Sequence, residues 1–290
     1  MRLAGIGGDI RRVSIDIGIG SWRDKEYVGL LYPAGLPEKE RLNVYPQYFG
    51  HVELNAGYHA IPRREQIAEW EQRTPADFIF DVKLQREFSE DPRGATERGL
   101  VERTLESVGP LISAKKLGVF LLVLAPGFGP ERHELAELDA LIEKLRPHTL
   151  AVELRHNGWV DDERRERTLE YFRAHQLVWV AVDMPRIEGS TIMPPMDEMT
   201  NPRLAYLRLH GRNPNWFQAK DAKDRHDYQY APGELTEIAG RIKALAEKAE
   251  RVRVVANNHC RDFAPRTALA LKAMFNQPLP KTEPRQGELF

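Results

Sequence analysis

The sequence predicts a single (β/α)₈ TIM barrel, an α/β fold in which eight strand-helix units close into a ring. Eight short apolar runs alternate with stretches of helical spacing, a rhythm typical of a parallel sheet. The chain has 290 residues, close to the roughly 250 that one such barrel uses. Polar side chains follow nearly every apolar run, and barrels assemble their active sites at these strand ends. An open doubly wound sheet is the alternative, but it would gather the polar side chains at one switch point of the sheet.

Strands are predicted where short apolar runs rich in valine, isoleucine and leucine stop at glycine, proline or a polar residue. Several of these runs are apolar on both faces, as expected for strands covered by helices on one side and by the barrel interior on the other. The predicted strands cover residues 13–20, 52–54, 77–84, 117–124, 149–154, 177–183, 204–209 and 252–256.

Helices are predicted where apolar residues recur every three or four positions. The predicted helices cover residues 38–49, 63–73, 97–114, 131–145, 161–175, 233–250 and 265–275. Residues 184–202 contain four prolines, which cannot donate the backbone hydrogen bonds of a helix interior. We therefore expect a loop where the sixth helix would stand.

Composition narrows the class of protein. The 42 basic and 43 acidic residues leave a net charge of −1, so no global field attracts nucleic acid or a membrane surface. A single cysteine fits a reducing compartment, and no apolar run is long enough to cross a membrane. We expect a soluble cytoplasmic protein. Its predicted parts are an N-terminal extension at 1–12, the barrel at 13–275 and a flexible tail at 276–290.

Charged residues inside the fifth predicted strand indicate a polar centre. Glu153 and Arg155 are two residues apart, so they share one face of that strand. Charges in a strand that should be apolar need partners or a function. The same spacing recurs at the ends of other strands, and Asp183 is a single-residue case. The recurring pairs are Glu53 with Asn55, Asp81 with Lys83, Arg208 with His210, and Asn257 with His259.

These side chains are expected to meet in the barrel mouth, where they support two roles. Glu153, Asp183, His210 and Glu53 are the candidate catalytic residues, and the first three could hold a divalent metal ion. Lys83, Arg155 and Arg208 are cations suited to a phosphate group. The alternative is an internal salt-bridge network that pairs Glu153 with Arg155 or Arg208, and Asp183 with Lys83.

Further polar and aromatic residues follow the strands and are candidate substrate contacts. The flat rings among them could stack on a ligand, or they could simply pack under loops. Cys260 is interpreted as a small buried residue rather than a nucleophile. Four histidines, His133, His148, His175 and His226, are expected at the surface. The candidate contacts are Trp22, Asn55, Tyr58, Trp159, Asn257, Asn258 and His259.

Short motifs spread along residues 15–275 resemble those of a known family. They comprise residues 18–22, 31–36, 52–58 with Pro62, 80–83, 152–155 with Trp159, 182–183, 206–211 and 257–259. In this order they resemble the YecE-like proteins, also called domain of unknown function 72. The resemblance implies a TIM barrel with a site at its strand ends. It implies no particular reaction, since the family has no established biochemical activity.

The tail carries a second resemblance. Residues 276–285 are rich in proline and polar side chains, as in an extended linker. The last five residues, Gln-Gly-Glu-Leu-Phe, resemble the short peptide that binds the bacterial sliding clamp. Gln286, Leu289 and Phe290 would be its contacts with the clamp. Alternatively, Leu289 and Phe290 fold back and cap the barrel.

Three functions are compatible with these patterns. The first is a metal-assisted phosphodiesterase or nuclease, recruited to DNA by its tail, that acts on a phosphate-bearing substrate. The second is a sugar or sugar-phosphate isomerase or lyase, with Glu153 or Glu53 as base and Lys83 as electrophile or charge clamp. This second function predicts a small enclosed pocket. The third is a non-catalytic module that binds an anion.

Overall fold

Eight parallel strands close into a barrel in the computed structural model, which describes residues 13–58 and 60–280. Each strand pairs with the next, and β8 pairs with β1 from Ser14 opposite Arg251 onward. The predicted TIM barrel is therefore confirmed. The strands are β1 Ser14–Ile19, β2 His51–Leu54, β3 Ile79–Lys83, β4 Leu117–Val123, β5 Leu150–Glu153, β6 Val178–Asp183, β7 Ala205–Leu209 and β8 Arg251–Ala256.

Helices surround the barrel. The longest ones start just after a turn or a proline and bury one face against the strands, as amphipathic spacing requires. The helices are α1 Arg41–Val44, α2 Arg64–Gln72, α3 Arg86–Glu90, α4 Pro92–Glu97, α5 Leu100–Ser113, α6 Asp139–Leu145, α7 Arg165–Ala174, α8 Ala222–Arg225, α9 Pro232–Ala246 and α10 Phe263–Met274.

Three predicted helices are shorter or more broken than expected. The stretch 38–49 contains Pro46, and it forms α1 between two 3₁₀ turns because proline cannot extend a helical ladder. The stretch 97–114 is interrupted by Gly99, whose φ of 75° is left-handed, so α5 begins at Leu100. The stretch 131–145 begins with a 3₁₀ turn at Leu135–Leu138.

The proline-rich segment between β6 and β7 contains no helix, as predicted. The structure describes every residue of this segment, 184–202. One bridge anchors it, between Ile192 and His156 in the loop after β5. The segment therefore lies along the same rim of the barrel as the predicted site.

The apolar core lies between strands and helices, while the barrel interior is polar. Residues paired across neighbouring strands share a face of the sheet. Val52 pairs with Phe80, and both are buried in the apolar core. One position along, Glu53 pairs with Asp81, and both are fully buried on the opposite face. The barrel is thus stabilised by its outer shell, and its inside is available for charged groups.

Two glycines leave room for those interior groups. A Cβ at Gly18 would lie 2.7 Å from the His51 ring. A Cβ at Gly118 would lie 2.6 Å from Arg253 Nη1 and would also overlap the Asp81 carboxylate. A methyl group at either position therefore competes directly with a buried polar side chain.

The change Gly118→Ala is expected to lower the free energy of unfolding by about 3 kcal/mol, because it overpacks the barrel and separates a buried ion pair. Urea denaturation would measure the loss. Gly240→Ala is the matched control, since its Cβ would meet nothing within 4 Å and helix α9 should gain up to about 1 kcal/mol. Equal effects of the two changes would contradict the crowding at Gly118.

The predictions for the two ends of the chain fall outside the described residues. These are the N-terminal extension 1–12 and the clamp-binding-like contacts Gln286, Leu289 and Phe290. Within 13–58 and 60–280, no helix combines the length and the apolar character needed to cross a bilayer.

Candidate functional site

An arginine at the end of β7 holds two carboxylates inside the barrel. Arg208 Nε and Nη2 donate to Glu53 at 2.8 and 2.6 Å, a two-pronged contact, and Nη1 donates to Glu153. All three residues are at most 1% exposed. Burial alone would lower the pKa of Arg208, but Glu153 and Glu53 outweigh it and raise the pKa. The guanidinium therefore stays charged and fixes both carboxylates.

A second ion pair lies deeper in the interior. Arg253 Nη1 contacts Asp81 Oδ1 at 2.5 Å, and the Val119 amide donates to the same oxygen at 3.1 Å. The Tyr206 hydroxyl lies 3.1 Å from Asp81 and 3.4 Å from Glu53, so it links the two pairs. Arg253 and Tyr206 were not among the predicted site residues. The available signal was a charged residue in the otherwise apolar eighth strand.

A third group of side chains extends the network towards the mouth. Arg155 Nε contacts Glu153 Oε1 at 2.7 Å, and His210 Nε2 lies 3.3 Å from Glu153 Oε2. Burial would raise the pKa of Glu153, but Arg208 and Arg155 hold it well below its usual range. The Asn257 amide donates to His210 Nδ1 at 3.1 Å, so the His210 proton is on Nε2 and points to Glu153. Burial lowers the pKa of His210 to about 4.

Lys83 ends β3 beside this network without joining it. Its amine lies 4.0 Å from the centre of the Tyr58 ring, a cation-π contact. Within the described part of the chain it forms no ion pair with a carboxylate. The pKa of Lys83 is lowered to about 8, mainly because the amine is buried and secondly because Arg208 repels its charge. Its amine is therefore partly neutral near physiological pH.

His259 lies at the same rim. Its Nδ1 is 2.9 Å from the Asn257 carbonyl oxygen, which can only accept, so the proton is on Nδ1 and Nε2 keeps a free electron pair. Burial lowers the pKa of His259. Asn55, the other predicted contact here, donates from Nδ2 to the Gly20 carbonyl at 2.8 Å, which ties β2 to β1.

His226 is not at the surface, so its predicted placement is wrong. It is buried, its ring centre lies 4.7 Å from that of His259, and its Nδ1 donates to the His210 carbonyl oxygen at 2.9 Å. The loop after β7 folds back over the barrel, and this return of the chain is a tertiary event without a local sequence pattern. Cys260 is buried as interpreted.

Asp183 is outside the interior network, which corrects its predicted place in the mouth. It pairs with Leu209, so it faces the helices while Arg208, one position away, faces inward. Arg212 and Arg241 contact its carboxylate at 2.7 and 2.8 Å. The predicted ion pair between Asp183 and Lys83 is therefore wrong.

The predicted metal ligands Glu153, Asp183 and His210 are not assembled into one set. Asp183 lies on the other face of the sheet, and both Glu153 oxygens are occupied by arginines. Across the described ranges, no three His, Cys, Asp or Glu side chains are grouped so that they could hold a metal ion. The residues do not fit a metal, and we derive no chemical step from one.

Three predicted substrate contacts are structural instead. Trp22 is 4% exposed and packs edge-on against Trp70, with ring centres 5.2 Å apart. Trp159 is buried, and its Nε1 donates to the Phe128 carbonyl oxygen at 2.7 Å. Asn258 is fully buried and donates to the Tyr228 carbonyl oxygen at 2.9 Å. These rings and this amide are covered by loops, so no base or sugar can stack on them.

The basic side chains at the mouth are largely covered. Only 18% of the Arg155 side chain is exposed, and Lys83 is partly buried. A cavity of about 930 Å³ lies between His156 and the proline-rich segment, but neither Lys83 nor Arg155 lines it. Only a small part of each of these two side chains is therefore exposed at the rim.

Sequence comparison identifies related proteins. A family model described as "Protein of unknown function DUF72" matches residues 16–288. The UPF0759 protein YunF of Bacillus subtilis is 26% identical over 95% of this chain and 100% of its own length. The UPF0759 protein YecE of Escherichia coli K12 is 30% identical over 53% of each chain.

Solved structures agree with the sequence comparison. A DUF72 family protein from Enterococcus faecalis V583 superposes with a TM-score of 0.81 and 29% identity, covering 93% of this chain and 99% of that one. A DUF72 family protein from Thermotoga maritima gives a TM-score of 0.80 and 28% identity, covering 91% and 100%. This chain, with its closed eight-stranded barrel, therefore belongs to the DUF72 family.

Proposed function

We propose that this protein is an enzyme for a small anionic substrate, best a phosphorylated one, which Lys83 and Arg155 bind at the barrel mouth. The observation that carries the proposal is the surplus positive charge of Lys83. Deeper in the interior Asp81 and Asp16 both contact Arg253, and beside Lys83 the two carboxylates Glu53 and Glu153 are already matched by Arg208 and Arg155. The amine of Lys83 is added to a centre that is already balanced.

A buried ammonium group without a counter-ion is costly. A bound anion supplies the missing charge and forms charge-assisted hydrogen bonds with the amine. Arg155 is the best second contact, because it is partly exposed and only its Nε is paired with Glu153. Its guanidinium can offer further N–H groups to phosphate or carboxylate oxygens.

The alternative of a purely structural network accounts for most of the interior. Arg208 and Arg253 hold their carboxylates at full burial, and this clamps the barrel. It does not account for Lys83, which lies outside these ion pairs, is repelled by Arg208 and is attracted by Glu53 and Glu153 without contacting either. A largely buried titratable group whose pKa is shifted in this way is a candidate for binding or chemistry.

Among the enzyme classes, a sugar-phosphate isomerase or lyase is best supported. A pKa of about 8 for Lys83 suits proton transfer near neutral pH. The small exposed fractions of Lys83 and Arg155 favour a small ligand, and the covered rings of Trp22 and Trp159 argue against nucleic acid. We therefore favour a small phosphate ester over the phosphodiester that the sequence first suggested.

Calorimetry with inorganic phosphate, followed by a panel of small sugar phosphates, tests the proposal. The full chain should bind saturably at pH 7, and Lys83→Met should weaken binding about tenfold or more. Affinity should fall as the pH rises through 8, since the protonated amine is the form that attracts an anion.

Lys248→Met is the matched control, because Lys248 is exposed near the end of α9 at the other face of the barrel. It should bind phosphate like the unchanged protein. Equal losses in both variants, or no binding by the unchanged protein, would overturn the proposed function.

A further inference from the structure

The position of the Lys83 amine suits a nucleophile better than a simple counter-ion. Lys83 is the last residue of β3 and pairs with Leu121 of β4, while its neighbour Val82 also pairs with β2, so the barrel fixes its backbone. A lysine kept only for charge balance would contact a carboxylate, but the nearby Glu53 and Glu153 are held by arginines. The amine faces an aromatic ring instead, at 4.0 Å.

We propose that the ε-amine of Lys83 forms an imine with the carbonyl carbon of a small anionic aldehyde or ketone. The inference rests on the proposed function, since Arg155 must hold the anionic group of the same substrate. It narrows the substrate to a compound that carries both a carbonyl and a phosphate or carboxylate.

The reaction balances without an oxidant or reductant. The nitrogen lone pair attacks the carbonyl carbon, the oxygen takes up a proton, and the nitrogen loses one, which gives a carbinolamine. Loss of that hydroxyl as water leaves a C=N bond, and addition of water reverses the sequence. The protonated imine withdraws electrons from the adjacent carbon, so a C–H or C–C bond there becomes easier to break.

His259 is placed to carry the proton. Its Nδ1 donates to the Asn257 carbonyl oxygen, so Nε2 can accept the proton released from nitrogen and return it to the departing hydroxyl. Lys83 ends β3 and His259 follows β8, so both belong to the same rim of the barrel, and the charge of Lys83 is among those that lower the pKa of His259. The Tyr58 ring next to the amine stabilises the cationic imine through its π face.

Reductive trapping tests the inference. The full chain is incubated at pH 7 with cyanoborohydride and glyoxylate, a small aldehyde that carries a carboxylate, and peptides are mapped by mass spectrometry. Because more of its amine is neutral than for an exposed lysine, Lys83 should be labelled roughly tenfold faster than surface lysines. Acetaldehyde, which lacks the anionic group, should show a much smaller preference for Lys83.

Three variants sharpen the result. Lys83→Arg keeps the positive charge but cannot form an imine, so it should bind phosphate and lose the fast label. His259→Gln should slow labelling of Lys83 while phosphate binding is kept. Lys223→Arg, changed at an exposed lysine paired with Glu26, should behave like the unchanged protein in both measurements.

The possible outcomes separate the two proposals. Phosphate binding without fast labelling of Lys83 overturns the imine and leaves the proposed function standing. Loss of both overturns both. Fast labelling that phosphate does not slow overturns the shared anion site, and with it the anionic substrate that the inference names.

Discussion

Replacing Arg208 with methionine is expected to lower the free energy of unfolding by about 5 kcal/mol, because removing one partner of a buried ion pair leaves the others uncompensated. Two carboxylates, Glu53 and Glu153, depend on this one guanidinium at full burial. Urea or thermal denaturation would measure the loss. Methionine replaces only the aliphatic part of the arginine side chain, so the effect combines the loss of the charge with the space left by the guanidinium group.

Arg212→Met is the matched control for that loss. Arg212 also contacts a buried carboxylate, but it is 23% exposed and Asp183 keeps Arg241 and Tyr230 as partners. Its loss should cost about 1 kcal/mol. In the Arg208→Met background, adding Glu53→Gln and Glu153→Gln should recover part of the stability. A loss below about 2 kcal/mol for Arg208→Met alone would show that the carboxylates find other partners.

Acidification should destabilise the protein steeply between pH 6.5 and about 4. Burial holds the pKa of His210 at about 4, and those of His51 and His226 well below their usual range. All three are neutral in the folded state and take up protons on unfolding, so stability is complete above the unfolded pKa and is lost as the pH falls. Three protons correspond to about 4 kcal/mol per pH unit.

Urea midpoints measured from pH 7.5 to 4.5 would give that slope. His51→Leu should reduce it by about a third, since His51 is buried against Gly18 and neither ring nitrogen has a hydrogen-bond partner among the described residues. Below pH 4.5 the lowered pKa of Glu153 adds a further loss in the same direction. A flat stability profile down to pH 5 would contradict the neutral buried histidines.

The alternation of side chains between the two faces of a strand was enough to predict which charged residues of β5 and β7 lie together inside the barrel. The spacing of Glu153 and Arg155, and of Arg208 and His210, placed each pair on one face, and these four residues do lie together. A charged residue in an apolar strand marks the inward face by itself. The strand count and the missing sixth helix followed from the same patterns.

Asp183 shows where alternation fails. Strand β6 reads Val-Trp-Val-Ala-Val-Asp and is buried along its whole length, so nothing in it distinguishes the inward from the outward face. A shift of one residue moves a side chain to the other face. Only the pairing with β7, set by tertiary structure, places Asp183 against the helices.

Trp22, Trp159 and His226 show a second limit. The two tryptophans follow strands, where both a ligand contact and a packing residue are common, His226 lies in the long connection after β7, and all three are buried. Arg253 is a different case, because its charge within the apolar eighth strand was a signal that was not used. Only its pairing with Asp81, 172 residues away in the sequence, has no local pattern.

The long sequence separations between these ion-pair partners also affect how the chain can fold. The arginine partner of Glu53 is Arg208, 155 residues later, and that of Asp81 is Arg253. The first half of the barrel therefore carries buried carboxylates whose arginine partners belong to the second half. A chain that ends before β7 would lack Arg208 and Arg253 and would leave Glu53 and Asp81 without their arginine partners. We therefore expect this protein to be a poor candidate for assembly from two independently folded halves.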